Sequence, residues 1–219
     1  MLQQKAVLGD RLFLWLTLLL NLVDEKDGLR YNGIVYKEAR QMEELFRALA
    51  GLKGKKYDGS YIGRVIWSQS RGAVVVETKA QLEIVRETRK YMKIRIEKQQ
   101  QALEVVLLFP GEKSPAMASE ELSAEPAANF LHCFTSEEIQ RFTAATGDEN
   151  PIHAGANPVV PGLQLLQCLQ QKYPAAEHID LRFLQPVYGG EPVYLQREDG
   201  LHYGIAGRRR IFAAEITEE

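Results

Sequence analysis

The residues whose types and spacing suit chemistry lie in the stretch Phe142-Thr-Ala-Ala-Thr-Gly-Asp-Glu-Asn-Pro-Ile-His153. Asp148 and His153 stand five positions apart on a short loop, with Gly147 permitting a tight backbone at its start and Pro151 stiffening the turn. An imidazole titrates near neutrality, and a carboxylate beside it orients it or shares a water with it, so such a pair suits general acid-base work. Asn150, between the two, offers a hydrogen bond that fixes the loop. The same residues also fit a purely structural loop, with Asp148 as a cap and His153 on the surface.

The remaining reactive side chains are not organised in this way. Cys133 and Cys168 make no disulfide framework and no zinc knuckle, and read as small buried residues in a reducing compartment. His132, His178 and His202 show no metal-ligand spacing with one another or with the cysteines, so neither a metal nor a redox cofactor is expected.

A loop of this kind needs elements on both sides to hold it. Thr135-Ser-Glu-Glu138 is a capping-box pattern that predicts a helix carrying Ile139 and Phe142, and Gly147 is placed to stop it. Pro161-Gly162 opens a second helix, with Leu163, Leu166 and Leu169 on one face, running to about Tyr173 before Pro174. Three strands are expected after it, over 179–184, 192–197 and 202–216, the last broken at Gly207. The first half shows the same order. Ala39, Met42, Leu45, Phe46 and Leu49 recur at helical spacing, and Gly51 and Gly54 follow as stop signals. Strand-like segments cover 61–69, 73–85, 89–98 and 102–109, the clearest being Met92, Ile94 and Ile96 alternating with Lys93, Arg95 and Glu97. Gln99-Gln100-Gln101 reads as a hairpin turn. Residues 111–126, rich in Pro, Ser, Ala and Glu, read as a linker between halves at 1–110 and 127–219. A helix followed by antiparallel strands, twice over, predicts an α+β fold in which each sheet wraps its own helix.

The string Phe134 to His153, FTSEEIQRFTAATGDENPIH, closely resembles the hydratase 2 motif of the MaoC-like (R)-specific enoyl-CoA hydratases and hydroxyacyl dehydratases, which have the hot-dog fold. Leu181-Arg-Phe-Leu-Gln-Pro-Val-Tyr-Gly-Gly-Glu191 is similar to a strand of the same family, so the resemblance spans roughly residues 130–193. It implies a double hot dog in one chain, the first half degenerate and shaping the acyl tunnel. It also implies that Asp148 and His153 hold and activate the catalytic water, and that the backbone NH of Gly162 polarises the thioester carbonyl. A helix N-terminus agrees with that last role, since its first NH groups are unpaired and lie at the positive end of the dipole. The implied activity is reversible hydration of trans-2-enoyl thioesters to (3R)-3-hydroxyacyl thioesters, with acyl-CoA or an acyl carrier protein (ACP) thioester as substrate and no further cofactor. Arg208 and Arg210 are candidates for the substrate's phosphates or an acidic carrier, although three adjacent arginines also fit plain surface charge.

The chain departs from the family between His153 and Pro161, where only Ala-Gly-Ala-Asn-Pro-Val-Val stands, and Pro161 replaces a common His. Related hydroxyacyl-ACP dehydratases carry a catalytic glutamate on the helix, where this chain has Gln167, so that mechanism does not transfer. Two other readings stay open: a silent acyl-thioester binding protein, and a hot-dog thioesterase using Glu43 or Glu44, with Glu38 on the same stretch.

Composition sets the outer bounds. The chain has 219 residues, 45% hydrophobic and 26% charged, in the range of a globular protein able to bury a core. A net charge of -2 offers no basic field for a nucleic acid. The apolar run Leu12 to Val23 is shorter than the roughly 20 residues a spanning helix needs, and it continues into Asp24-Glu25-Lys26-Asp27 rather than a cleavage site. A cytoplasmic location is therefore expected, and apolar surface over 12–20 suggests a homodimer.

Overall fold

Period-two alternation sets the strands. The computed structural model describes residues 42–70, 79–109 and 128–218, and residues 43–219 group as one unit. Among the described residues nine strands form one antiparallel sheet: β1 (Tyr61–Gln69), β2 (Gln81–Glu87), β3 (Tyr91–Lys98), β4 (Gln101–Leu108), β5 (Asn129–Cys133), β6 (Ala176–Phe183), β7 (Pro192–Glu198), β8 (Leu201–Ala206) and β9 (Arg209–Glu218). Their order is β2-β3-β4-β1-β6-β9-β8-β7-β5. Met92, Ile94 and Ile96 are buried while the alternating Arg95 and Glu97 face water, the half-wet pattern expected of β3. The β3–β4 hairpin turns at Gln99 and Gln100, with Gln99 at φ 55°.

The two halves meet at β1 and β6, which pair antiparallel with Val65 opposite Leu181 and Trp67 opposite Ile179. All four of those side chains are buried. The apolar positions of both halves therefore continue across one sheet.

Three helices serve this sheet among the described residues. The first, α1 (42–50), buries Leu45, Phe46 and Leu49. The second, α2 (Ser136–Thr146), carries the expected capping box: the Thr135 hydroxyl accepts from Glu138 N and the Glu138 carboxylate accepts from Thr135 N. Gly147 closes it in the left-handed region at φ 75°, a conformation that glycine adopts without steric cost. The third, α3 (Gly162–Lys172), lies against β1 and β6 and buries Leu163, Leu165, Leu166 and Leu169. A buried leucine contributes about 1.5–3 kcal/mol, so this face alone ties the helix to the sheet. An antiparallel sheet laid against an apolar helix is the α+β hot-dog fold expected.

Several expectations need correction. β5 was not anticipated, because Asn129-Phe-Leu-His-Cys133 is a short edge strand with no fully buried residue and so no apolar period. The segment expected over 73–85 is strand only over Gln81–Glu87 within the described residues. The break expected at Gly207 is present: β8 and β9 are separated where Gly207 turns at φ 58°. Cys133 and Cys168 are free and half-buried rather than fully buried. The apolar run over 12–23, Glu38, Ala39 and the linker over 111–126 lie outside the described residues. No described helix is long and apolar enough to cross a membrane.

Candidate active site

The site is assembled around the end of α2. The N–H groups of Gly147 and Asp148 both donate to Thr143 O, at 2.8 and 2.9 Å, which turns the chain sharply out of the helix. Asp148 Oδ1 then accepts from Asn150 N at 3.0 Å. Pro151 opens a short 3-10 turn, Pro151–His153, with Asn150 as its cap.

This geometry brings Asp148 Oδ2 to 3.5 Å from His153 Nε2, with the His153 side chain 10% exposed and that of Asp148 28% exposed. The two atoms are too far apart for a strong direct hydrogen bond but near enough for both to reach one water. On its other side His153 Nδ1 lies 2.7 Å from Val159 O. A carbonyl only accepts, so Nδ1 carries the hydrogen, and in the neutral ring Nε2 presents its lone pair toward Asp148.

Asn150 is held from outside the motif. Its Oδ1 accepts from Gly59 N at 2.9 Å and from Ile152 N at 3.4 Å, and its Nδ2 donates to Ser60 O at 2.8 Å. Gly59 and Ser60 belong to the first half. Lys53, from the same loop, donates to Gly147 O and pairs with Glu149. Arg47 Nε donates to Ala145 O, and the Phe46 and Phe142 rings stand 5.9 Å apart.

Asp148, Asn150, His153 and Gly162 all line one pocket of about 750 Å³. Its apolar wall comes from α1 (Phe46, Leu49), from β1 and β4 (Ile62, Leu107, Leu108), and from the second half (Val160, Leu163, Leu165, Phe183, Val187). Gly162 is the first residue of α3, behind Pro161, which supplies no side-chain cap. Its N–H has no backbone acceptor among the described residues, as first-turn amides of a helix generally lack one. A Cβ on residue 162 would stand 2.9 Å from Phe183 Cζ, so a larger residue there needs that ring to shift.

The other candidates fall elsewhere. Arg208 is exposed at the β8–β9 turn, while Arg210 pairs with Glu198 and stacks over Tyr203; neither lines the pocket. Arg209 does not line it either, but donates to the carbonyl of Pro186, a lining residue, and pairs with Glu191. Glu43 pairs with Arg47, and Glu44 pairs with the buried Lys98; neither lines the pocket. Burial pushes the Cys168 thiol up to about 11, so it stays protonated at neutral pH. No group of three or more His, Cys, Asp or Glu side chains among the described residues stands ready to hold a metal ion.

Sequence reasoning missed Gly59, Ser60 and Val159. Asp58-Gly-Ser60 carries a turn signature, but nothing in it points to a partner some 90 residues away. Val159 acts through its carbonyl, which no residue type reveals.

Fold and site together define an antiparallel hot dog with a carboxylate–imidazole pair in an apolar pocket. No family model and no curated protein sequence matches the chain. Among solved structures it is similar to a MaoC-like dehydratase from Phytophthora capsici, at 14% identity and TM-score 0.49 over 77% of this chain and 72% of that one. It is also similar to an acyl-ACP thioesterase from Bacteroides thetaiotaomicron, at 10% identity and TM-score 0.44 over 73% and 76%. A third is full-length peroxisomal multifunctional enzyme type 2 from Drosophila melanogaster, at 13% identity and TM-score 0.47, where 80% of this chain covers 40% of that one.

Proposed function

We propose that this chain is a double hot dog that reversibly hydrates trans-2-enoyl thioesters of coenzyme A or an acyl carrier protein to (3R)-3-hydroxyacyl thioesters. The observation that carries the reading is the approach of Asp148 Oδ2 and His153 Nε2, 3.5 Å apart, in the pocket that Gly162, the first residue of α3, also lines. A water held between the two gives its proton to the pair as its oxygen bonds to C3. Electron density moves through C2 to the thioester oxygen, which the Gly162 N–H holds as an enolate. The pair then returns one proton to C2. One proton leaves the water and one arrives at carbon, so the addition balances without a redox partner, and the thioester carrier is itself part of the substrate. Both partitions of acid and base between Asp148 and His153 satisfy this balance. Asn150 supports the loop and does not exchange protons.

The test is loss of enoyl-thioester ultraviolet absorbance with short and medium trans-2-enoyl-CoA and with the carrier-linked substrate. Wild type consumes substrate, while Asp148→Asn and His153→Ala each lose about 10²–10⁴-fold in rate and keep their fold. Wild-type inactivity on every carrier, with acyl-CoA still bound, sinks the hydratase reading in favour of a binding protein. Release of free coenzyme A that depends on Glu43 or Glu44 sinks it in favour of a thioesterase.

A further inference from the structure

We infer that Phe183 is a specificity-determining residue whose ring limits the substituent accepted on the thioester's α-carbon; for the placement of the carbonyl this rests on the hydratase reading. Phe183 is the last residue of β6, paired in register with Phe212, and the chain just beyond it is pinned where Leu184 N donates to Ile211 O at 2.9 Å. From there the ring reaches the start of α3. A Cβ built on Gly162 would meet Phe183 Cζ at 2.9 Å and Cε2 at 3.1 Å, with Ile62 Cβ at 3.4 Å. Ring edge and Ile62 therefore flank Gly162, and all three line the pocket.

The consequence is geometric. An acyl thioester whose oxygen accepts the Gly162 N–H puts its carbonyl carbon within one bond of the sulfur and one of the α-carbon. Those atoms lie where Phe183 and Ile62 close the wall. The ring edge already stands at contact distance from the helix start, so a substituent on that side of the carbonyl meets the ring before it meets open pocket. An unbranched α-carbon fits beside it, and an added methyl does not. A single methyl in an apolar pocket discriminates by about 10–200-fold.

Binding of two saturated thioesters, butyryl-CoA and 2-methylbutyryl-CoA, measured by titration calorimetry, tests this without any turnover. Wild type is expected to bind the branched probe about tenfold or more weakly, and Phe183→Leu to reduce the difference to within about threefold. Ile62→Val, a milder change on the opposite side of the same wall, reduces it part way and guards against a Phe183 variant that fails to fold. Equal affinities in wild type, unchanged discrimination in a folded Phe183→Leu, or no binding of either probe overturns the inference. The probes carry no double bond to hydrate, so discrimination that persists in a protein unable to hydrate linear enoyl-CoA refutes the hydratase reading alone. Hydration of linear enoyl-CoA without discrimination refutes the role of Phe183 alone.

Discussion

Asn150 shows how far a single side chain reaches. Both acceptor positions of its amide oxygen are used, by Gly59 N and Ile152 N, and its NH₂ group donates to Ser60 O. Replacing it with alanine leaves the Gly59 amide and the Ser60 carbonyl without their partner, which costs about 1–3 kcal/mol in a partly buried setting. Ser60→Ala keeps that carbonyl and loses only the hydroxyl contact to Tyr57 O, a loss of about 0.5–1.5 kcal/mol. Urea denaturation is expected to rank Asn150→Ala below Ser60→Ala, and an Asn150→Ala midpoint equal to that of wild type would show that the clasp carries no stability. The residues of the motif were legible because Asp148, Asn150 and His153 are local in the chain and their loop is written by Gly147 and Pro151. Gly59, Ser60 and Val159 were not, since they act through backbone groups and, for the first two, across a long sequence separation. Arg208 and Arg210 are charges visible in the sequence that the structure places at a turn and on Glu198, away from the pocket lining.

Elements were read well where one local rule decides them. The capping box at Thr135 and the glycine stop at Gly147 bound α2 at both ends, and the leucine face bounds α3. β5 escaped because an edge strand needs no buried period, and the break between β8 and β9 was legible through Gly207 alone. A tighter constraint within that hairpin has no sequence signature. Gly204 on β8 lies beneath the ring of Phe212 on β9, and a Cβ there would fall 2.2 Å from Phe212 Cε1 and 2.5 Å from two further ring atoms. Phe212 is fully buried and has nowhere to move. Gly204→Ala therefore overpacks the sheet, at a cost of about 1–3 kcal/mol or more. The drop is expected in thermal melting, with Gly207→Ala milder because its cost is confined to a φ of 58° in open space. A Gly204→Ala protein as stable as wild type would mean that the Phe212 ring is not fixed there.

The whole molecule depends on the seam between β1 and β6, which no local pattern foretells because its partners are far apart in the chain. Arg64 clamps Asp180 across that seam, Nε donating to Oδ1 at 2.7 Å and Nη2 to Oδ2, and Arg182 stands 3.5 Å from the same carboxylate. The Asp180 side chain is 6% exposed whereas that of Arg64 is 40% exposed, so the two ends of the pair are not equivalent. Burial opposes ionisation of Asp180, but the hydrogen bonds and charge of Arg64, with the charge of Arg182, outweigh it and hold the carboxyl below the usual range. A carboxyl depressed in the fold binds its proton more readily in the unfolded chain. Its contribution to stability is thus complete above the unfolded value near pH 4 and disappears as pH falls through the lower folded value. Asp180→Asn is expected to flatten the acid limb of the stability curve below about pH 4, since that proton linkage is gone. Arg64→Met changes the acid limb in the same sense and further: it leaves a buried carboxylate with only Arg182 nearby, so burial raises its proton affinity in the fold, and the loss of stability as pH falls is flattened or reversed. At neutral pH the same variant loses stability toward the lower end of the about 3–5 kcal/mol that follows from stranding a buried charge. Asp180→Asn loses less, because Arg64 then turns to solvent. Urea midpoints collected from pH 2.5 to 7 separate the two, and parallel acid limbs in both variants and wild type would remove the Arg64–Asp180 pair from any account of how the halves are joined.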